Sequence, residues 1–232
     1  MPAALVAGCS TGDLGDFLGG VAAAGSAGSL SSDEAAQGIK AALEQGVASA
    51  IAQVGRAGGF LNDPTIRIPL PDRLAELRST LGRLGLAGPL DELEVQLNRG
   101  AERAAPQARS IFIGAIRQLT VEDALSIVRG GPTSATDYFR RETAPALRRL
   151  FTPVMTDSLE ASGAIRTYDR LSGRLDAIPL APDLADDAKQ GLIDHGVERA
   201  LQGLFTYIAE EEAAIRANPA KRSSEILRRV FG

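Results

Sequence analysis

The sequence predicts an all-α protein, a compact multi-helix bundle crossed by one proline-rich extended segment. Apolar residues recur at spacings of three and four along most of the chain, which is typical of helices that bury one face. Aromatic residues make up only 4% and Trp is absent, so the core must consist mainly of Leu, Ile, Val and Ala. Three prolines within residues 64–71 mark a stretch that cannot be helical.

Size, charge and cysteine content narrow the class of protein. A chain of 232 residues with 44% hydrophobic residues can bury a sizeable core, and no internal linker divides it, so we expect one domain. The net charge of −4, with basic residues dispersed among acidic ones, argues against nucleic-acid binding. The single cysteine excludes an internal disulfide and a Cys-rich zinc site. No apolar run of about 20 residues follows the N-terminus, so no membrane-spanning helix is predicted.

The N-terminus indicates a location outside the cytoplasm. Val-Ala-Gly-Cys at residues 6–9 matches the end of a bacterial lipoprotein signal, so we interpret residues 1–9 as a signal remnant and Cys9 as the lipidation site. The basic start of such a signal is missing, since the first basic residue is Lys40, and we infer that the true start lies upstream or that the signal was trimmed. The alternative is an Ala/Gly-rich tail that contains a cysteine by chance.

Residues 10–30 are expected to form a flexible tether. Residues 19–29 are almost wholly Gly, Ala and Ser, which bury too little surface to offset the entropy of ordering. A lipid on Cys9 would then hold the helical domain, residues 31–232, near a membrane on the periplasmic side of the cell envelope. The membrane is therefore one predicted partner.

The first helix is predicted to begin at a capping box. Ser31 stands three residues before Glu34, so each side chain can satisfy a free amide of the first turn. An apolar stripe at helical spacing then runs to Gly55, where glycines end the helix. The stripe consists of Ile39, Leu43, Val47, Ala50, Ile51 and Val54.

Residues 60–71 are predicted to cross the bundle in an extended conformation. Pro64, Pro69 and Pro71 remove amide donors and bias the preceding residues away from helix. The apolar residues of this segment indicate that it lies against the bundle, and residues 66–70 have the character of a short strand.

Helices separated by short breaks fill the rest of the chain. Leucines predict one helix after Pro71 and another after a Gly-Pro break at residues 88–89, and Pro106 resets the chain before the next. Thr120 is predicted to cap a short helix. Thr133 or Ser134 is predicted to cap a longer one. Pro145 and Pro153 are predicted to mark the start, a kink or a break of that helix. Three more helices are predicted after it: one around residues 165–175, a long one from an Asp183 cap to Ala217, and a last one at residues 223–231.

Several motifs of this chain match one bacterial family. They are residues 58–64 and 67–71, residues 92–99, Tyr-Phe-Arg-Arg at 138–141, and residues 203–219 and 230–232. With these motifs, which span nearly all of the chain from residue 30, the protein resembles the exported family known only as a domain of unknown function, DUF4197. The resemblance implies an exported helical protein and supplies no activity.

One polar constellation lies beside the apolar stripe of its helix. Glu94, Asn98 and Glu102 recur every four residues and so line one side of that helix. Arg67 alternates with two isoleucines, so in an extended segment it faces away from both. We predict that Arg67 pairs with one of these carboxylates and pins the proline segment to the bundle. Two alternatives stay open: Arg67 points to water, or Arg67, Asn98, Arg99 and Glu102 line a pocket that binds an anionic ligand.

The remaining candidates have weaker support. His195 is the only histidine and the natural acid-base residue, yet no nucleophile elbow or Glu-x-x-His metal motif accompanies it, so we predict no catalytic residue, no metal and no cofactor. The consecutive glutamates at residues 210–212 are interpreted as a solvated face. Arginines at residues 140, 141, 148 and 149 would offer a basic strip to anionic lipid headgroups, or simply face solvent.

The sequence therefore favours a non-catalytic cell-envelope protein that binds a protein partner or a small ligand near the membrane. The alternative is a hydrolase or metal-dependent enzyme that uses the boundary carboxylates and His195. Convergence of His195 with two carboxylates would favour the enzyme, whereas a pocket at the polar constellation would favour ligand binding.

Overall fold

The computed structural model describes residues 31–161, 163, 166 and 188–217, and these residues contain no strand. The all-α prediction is confirmed. Cys9, the proposed tether, the predicted helix at 165–175 except residue 166, the Asp183 cap and the predicted helix at 223–231 lie outside the described residues. The helices are α1 Ser32–Val54, α2 Asp72–Gly82, α3 Gly88–Ala104, α4 Arg109–Gln118, α5 Val121–Arg129, α6 Ser134–Ala161 and α7 Ala188–Ala217, with a 3-10 turn at Ala105–Ala108 between α3 and α4.

Two helices begin at the caps that the sequence predicts. Ser31 Oγ accepts a hydrogen bond from the Glu34 amide at 3.2 Å, and the Ser31 amide donates to Glu34 Oε2 at 2.9 Å. Thr120 and Asp123 form the same reciprocal pair at the start of α5, with distances of 3.0 and 3.1 Å. Each pair satisfies two amides that a helix start leaves free.

The long helices α6 and α7 form the centre of the bundle. α7 packs against α1 and α6, α3 packs against α6 and α7, and α4 and α5 pack against α1 and α6. At the centre, the Phe112 ring lies edge-on to Phe139 and to Phe205, with centroids 5.4 and 6.1 Å apart. Within the described residues, no helix is both long and apolar enough to span a bilayer.

Glycines bring α3, α6 and α7 close together. A Cβ atom at Gly100 would lie 2.7 Å from Met155 Sδ, and one at Gly196 would lie 2.8 Å from Leu97 Cδ2. Both distances are shorter than van der Waals contact, so these helices approach more closely than larger residues permit. This close approach positions α3 and the segment packed on it against α7.

Prolines interrupt the helices less than the sequence suggests. α6 runs from Ser134 to Ala161 through Pro145 and Pro153 without a break. Both prolines lie on its exposed face, where water can bind the carbonyl groups that a proline leaves without an amide donor. Pro106 lies in the 3-10 turn and does not separate α3 from α4 by a loop.

Candidate functional site

The proline-rich segment, residues 60–71, lies along one side of α3 and is held by a ladder of polar side chains. The ladder consists of Glu94, Asn98 and Glu102, which are four residues apart and project from the same side of α3. The sequence places them at the edge of the core, and the structure buries all three. Polar groups buried to this extent require hydrogen-bond partners, and each of the three has them.

Asn98 pairs with the backbone of Ile68 as a neighbouring strand would. Its Oδ1 accepts from the Ile68 amide at 2.8 Å, and its Nδ2 donates to the Ile68 carbonyl, also at 2.8 Å. The second Nδ2 proton reaches the Glu94 carbonyl at 2.8 Å. Asn98 thus gives Ile68 the hydrogen bonds of a neighbouring strand. The predicted extended conformation is wrong for residues 60–62 and 64–66, which form turns, and residues 66–70 contain no strand.

Glu102 holds the beginning of the same segment. Its Oε1 accepts from the amides of Phe60 and Leu61 at 3.2 and 3.1 Å, and its Oε2 accepts from Arg99 Nη1 at 2.7 Å. Because both carboxylate oxygens have charged or amide donors, the negative charge of this buried group is compensated.

The predicted pairing of Arg67 with a carboxylate on α3 is confirmed, and its partner is Glu94. Arg67 donates to Glu94 Oε1 from Nε at 2.8 Å and from Nη2 at 2.7 Å, and Arg78 of α2 donates to Oε2. The Glu94 side chain is 6% exposed and that of Arg67 is 49% exposed, so the arginine spans the boundary between core and solvent. Arg67 therefore pins the segment to α3, and Arg78 ties α2 to the same carboxylate.

Replacing Arg67 with alanine is expected to lower the free energy of unfolding by about 1 kcal/mol. The cost is moderate because Arg67 is half exposed and Arg78 still neutralises Glu94. Urea denaturation of Arg67→Ala, Glu94→Ala and the double variant would measure the coupling between the two side chains. Additive effects of the two substitutions would show that the pairing contributes no stability.

A second contact holds the segment to α7. The Tyr207 hydroxyl donates to Asp63 Oδ2, and the Thr65 amide donates to Asp63 Oδ1 at 2.8 Å. The Tyr207 hydrogen bond holds the pKa of Asp63 below its usual value, and the same bond, with burial, raises the pKa of Tyr207 to about 12. The charged carboxylate and the neutral phenol are therefore the stable pair at neutral pH.

The stability contributed by this pair is expected to depend on pH at both ends. Because the folded pKa of Asp63 is lowered, its contribution is complete above the usual value of 3.8 and is lost as the pH falls below it. Because the folded pKa of Tyr207 is raised, its contribution is complete below pH 10.0 and is lost as the pH rises toward about 12. Tyrosine ionisation is measured by ultraviolet absorbance in the wild type and in Tyr207→Phe. The difference between the two titration curves reports Tyr207 alone, and its midpoint should lie near pH 12. A midpoint near 10 would contradict the hydrogen bond.

The consecutive glutamates on α7 are not a solvated face, so that interpretation is wrong for two of the three. Glu211 accepts from Ser49 Oγ at 2.7 Å and from Gln53 Nε2 at 2.9 Å, which joins α7 to α1. Glu212 faces α6, and Glu210 alone is exposed. Consecutive helical residues point about 100° apart, and α7 has neighbours in two of these three directions.

Glu212 caps α6 from a distance of more than 70 residues along the chain. Its carboxylate accepts from the amides of Ala135 and Thr136 at 3.0 and 2.9 Å and from Thr136 Oγ1 at 2.8 Å. Arg216 binds Glu212 at 2.8 Å and also donates to the Ile127 carbonyl at the end of α5 at 2.8 Å.

The predicted caps of α6 make other contacts. Thr133 Oγ1 donates to Asp137 Oδ2 at 3.0 Å, and Ser134 Oγ donates to the Gly131 carbonyl at 2.9 Å. The free amides at the start of α6 are thus satisfied by the α7 carboxylate and not by a local hydroxyl.

A groove of about 340 Å³ lies between α6 and α7 and is rich in basic groups. Its charged and polar lining residues are Arg140, Arg148, His195, Glu198, Arg199 and Gln202, and its apolar lining residues are Ala144, Leu201 and Phe205. Three arginines against one glutamate leave an excess of two positive charges. Basic side chains above an apolar floor are suited to an anionic ligand that also has an apolar part.

Two of the groove arginines are free to receive an anion. Arg148 is bound to Glu198, with Nη2 3.1 Å from Oε2, and this hydrogen bond lowers the pKa of Glu198. Within the described residues, neither Arg140 nor Arg199 forms an ion pair. Arg140 lies over the Phe205 ring at 5.1 Å from its centroid, and Arg199 reaches Gln202 Oε1 at 3.4 Å.

His195 connects the proline-rich segment to this groove. It is half-buried, and its Nε2 donates to the Pro69 carbonyl at 2.8 Å. The carboxylate that shares the groove with it is Glu198, which is already paired with Arg148. In the described part of the chain, no group of three or more His, Cys, Asp or Glu side chains is placed to hold a metal ion.

The four predicted ligand-binding residues lie together, and the structure gives each of them partners within the protein. Asn98 and Glu102 are buried, and their polar atoms bind the segment and Arg99. Arg67 borders a small polar cleft of about 70 Å³ that also includes Arg199, so the basic surface continues from the segment to the groove. The ligand-binding role of these four residues stays a prediction.

One family model, described as a protein of unknown function (DUF4197), matches residues 29–232. No curated protein and no solved structure matches the chain.

Proposed function

The chain belongs to the DUF4197 family, as its motifs predict, and because that family is described without an activity, we propose a function from the groove between α6 and α7. In this proposal the protein is a non-catalytic component of the bacterial cell envelope, anchored by a lipid on Cys9. Its helical domain binds a small anionic ligand that also has an apolar part.

The observation that supports this function is the charge of the groove. Arg140 and Arg199 line the groove without an ion-pair partner among the described residues, while Phe205 and Leu201 form an apolar floor. An arginine that is not paired within the protein can bind a phosphate or carboxylate in a bidentate manner, and the floor can cover a short hydrocarbon chain. The groove volume of about 340 Å³ is at the lower end of small-molecule sites.

Calorimetric titration with three probes tests this proposal. Hexyl phosphate combines both parts of the proposed ligand, whereas inorganic phosphate and hexanol each carry one. We expect hexyl phosphate to bind with a Kd on the order of 0.1–1 mM, and the two partial probes to bind more weakly. The double variant Arg140→Gln/Arg199→Gln should weaken hexyl phosphate binding by about tenfold or more.

Arg149→Gln is the matched control, because Arg149 is exposed on the same helix and does not line the groove. This variant should bind hexyl phosphate as the wild type does. Equal affinity of the double variant and the wild type would remove the groove from the proposal.

The proposed location in the cell envelope is tested by a separate experiment. Mass spectrometry of the protein produced from its own gene in the native bacterium, with fractionation of the cells, should detect a diacylglyceryl group on Cys9 and recover the chain with membranes. An unmodified chain in the cytosolic fraction would contradict the envelope location.

A further inference from the structure

The turn between α2 and α3 exposes two leucines at its tip. Leu84 is 70% exposed and Leu86 is 59% exposed, and they are the large hydrophobic residues that the described part of the chain leaves in solvent. All residues from 82 to 86 are exposed, and α2 buries only Leu74 among its residues. The two leucines therefore project from the end of a helical hairpin, away from the core.

The backbone of this tip is already hydrogen bonded. The amides of Leu84 and Leu86 donate to the Leu81 carbonyl, each at 3.0 Å, and the Gly85 amide donates to the Gly82 carbonyl at 3.1 Å. Gly85 has a φ of 72°, which closes the turn and which other residues rarely adopt. A turn whose amides have internal partners can leave water at a much lower cost than an open loop can.

The charge of the tip is purely basic. From residue 77 to residue 90 the chain contains Arg78 and Arg83 and no acidic residue. Arg78 is bound to Glu94, whereas Arg83 is exposed and has no ion-pair partner among the described residues. A cation beside two exposed leucines complements an anionic lipid surface, in which headgroups lie above hydrocarbon.

We propose that the α2–α3 tip is a membrane-docking element, in which Leu84 and Leu86 enter the interface of an anionic bilayer and Arg83 binds lipid headgroups. A convex tip with two leucines offers far less than the surface of roughly 800 Å² per partner that a stable protein interface requires. A bilayer needs no matching concave surface, so it fits this shape better than a folded protein does. The contact is independent of a lipid on Cys9 and of the groove.

Binding to vesicles tests this proposal with the full chain carrying Cys9→Ser, so that no lipid anchor contributes. Vesicles of equal parts phosphatidylglycerol and phosphatidylcholine are sedimented with this protein, and in parallel with the same protein carrying Leu84→Ser/Leu86→Ser. The double variant should lower the partition coefficient by about 30-fold, since full burial of one leucine contributes about tenfold or more and the interface buries each side chain only in part. Its melting temperature should not change, because both side chains are exposed.

The charge contribution is measured separately. Arg83→Gln should lower binding to these vesicles by about fivefold and leave binding to pure phosphatidylcholine unchanged. Arg103→Gln removes an exposed arginine at the end of α3 that is remote from the tip, and it should leave binding to both kinds of vesicle unchanged.

Either of two results would overturn the proposal. One is that the protein does not bind anionic vesicles, or binds them equally well without the two leucines. The other is that sedimentation velocity shows self-association that disappears in the leucine double variant, which would make the tip a protein contact.

A fluorophore reports entry of the tip into the bilayer. When it is attached at Leu84→Cys in the Cys9→Ser chain, its emission should shift to the blue when anionic vesicles are added, and an unchanged emission would contradict the proposal.

Discussion

Replacing Asn98 with alanine is expected to lower the free energy of unfolding by about 3–5 kcal/mol. Asn98 is fully buried, and its side chain satisfies both the amide and the carbonyl of Ile68. The alanine variant leaves these two backbone groups buried without a partner and adds a cavity. Asn98→Leu should cost a similar amount, because it fills the space but makes no hydrogen bond.

Urea denaturation measures this effect, and Gln96→Ala is the matched control. Gln96 lies on the same helix, where its side chain donates to the exposed Glu92. Its replacement should change the free energy of unfolding by less than about 0.5 kcal/mol. A loss below about 1 kcal/mol for Asn98→Ala would show that the segment is held by its apolar residues and not by the ladder.

Replacing Glu212 with alanine is expected to cost about 3–5 kcal/mol, the second large effect. The substitution removes the acceptor for two amides at the start of α6 and a carboxylate that binds Arg216, whose side chain is 21% exposed. Glu212→Gln should cost less, because it keeps the shape and one acceptor while it loses the charge.

The neighbouring Glu210→Ala serves as the control for Glu212. Glu210 is exposed on the same turn of α7, so its removal should leave the unfolding midpoint in urea nearly unchanged. If the two alanine variants unfold at the same urea concentration, the cap of α6 by α7 does not contribute to stability.

Local patterns in the sequence predict much of the helical structure. The boxes at Ser31 and Thr120 depend on residues three apart, so a short stretch of chain contains all the information needed. The pairing of Arg67 with α3 was also predictable, because the four-residue spacing of the polar ladder and the alternation in the segment are both local. The partner of Ile68 was not predicted, because it is the side chain of Asn98 and not the backbone of another strand.

Contacts between distant parts of the chain could not be predicted. The roles of Glu211 and Glu212 depend on which helices surround α7, and no local spacing encodes this. The groove is a similar case: Arg140 and Arg148 belong to the predicted basic strip, but Arg199 and Phe205 join them only when α6 and α7 pack together. The signal that the sequence does offer for such a groove is basic residues next to apolar ones on both long helices.

The proline-rich segment and the groove form one continuous structure. The ladder on α3 holds the segment, and the Pro69 carbonyl of the segment accepts from His195, which lines the groove. Residues that resemble a binding site in the sequence thus support the fold beside the groove, while the proposed ligand contacts come from arginines on α6 and α7.

The most direct test of this division is an NMR titration that follows the side-chain Nε–H signals of the arginines as hexyl phosphate is added. Arg140 and Arg199 should shift in a saturable manner, while Arg67, whose Nε donates to Glu94, should stay in place. Saturable shifts of Arg67 and Arg99 without changes at Arg140 and Arg199 would contradict the proposal and would place the ligand at the α3 ladder.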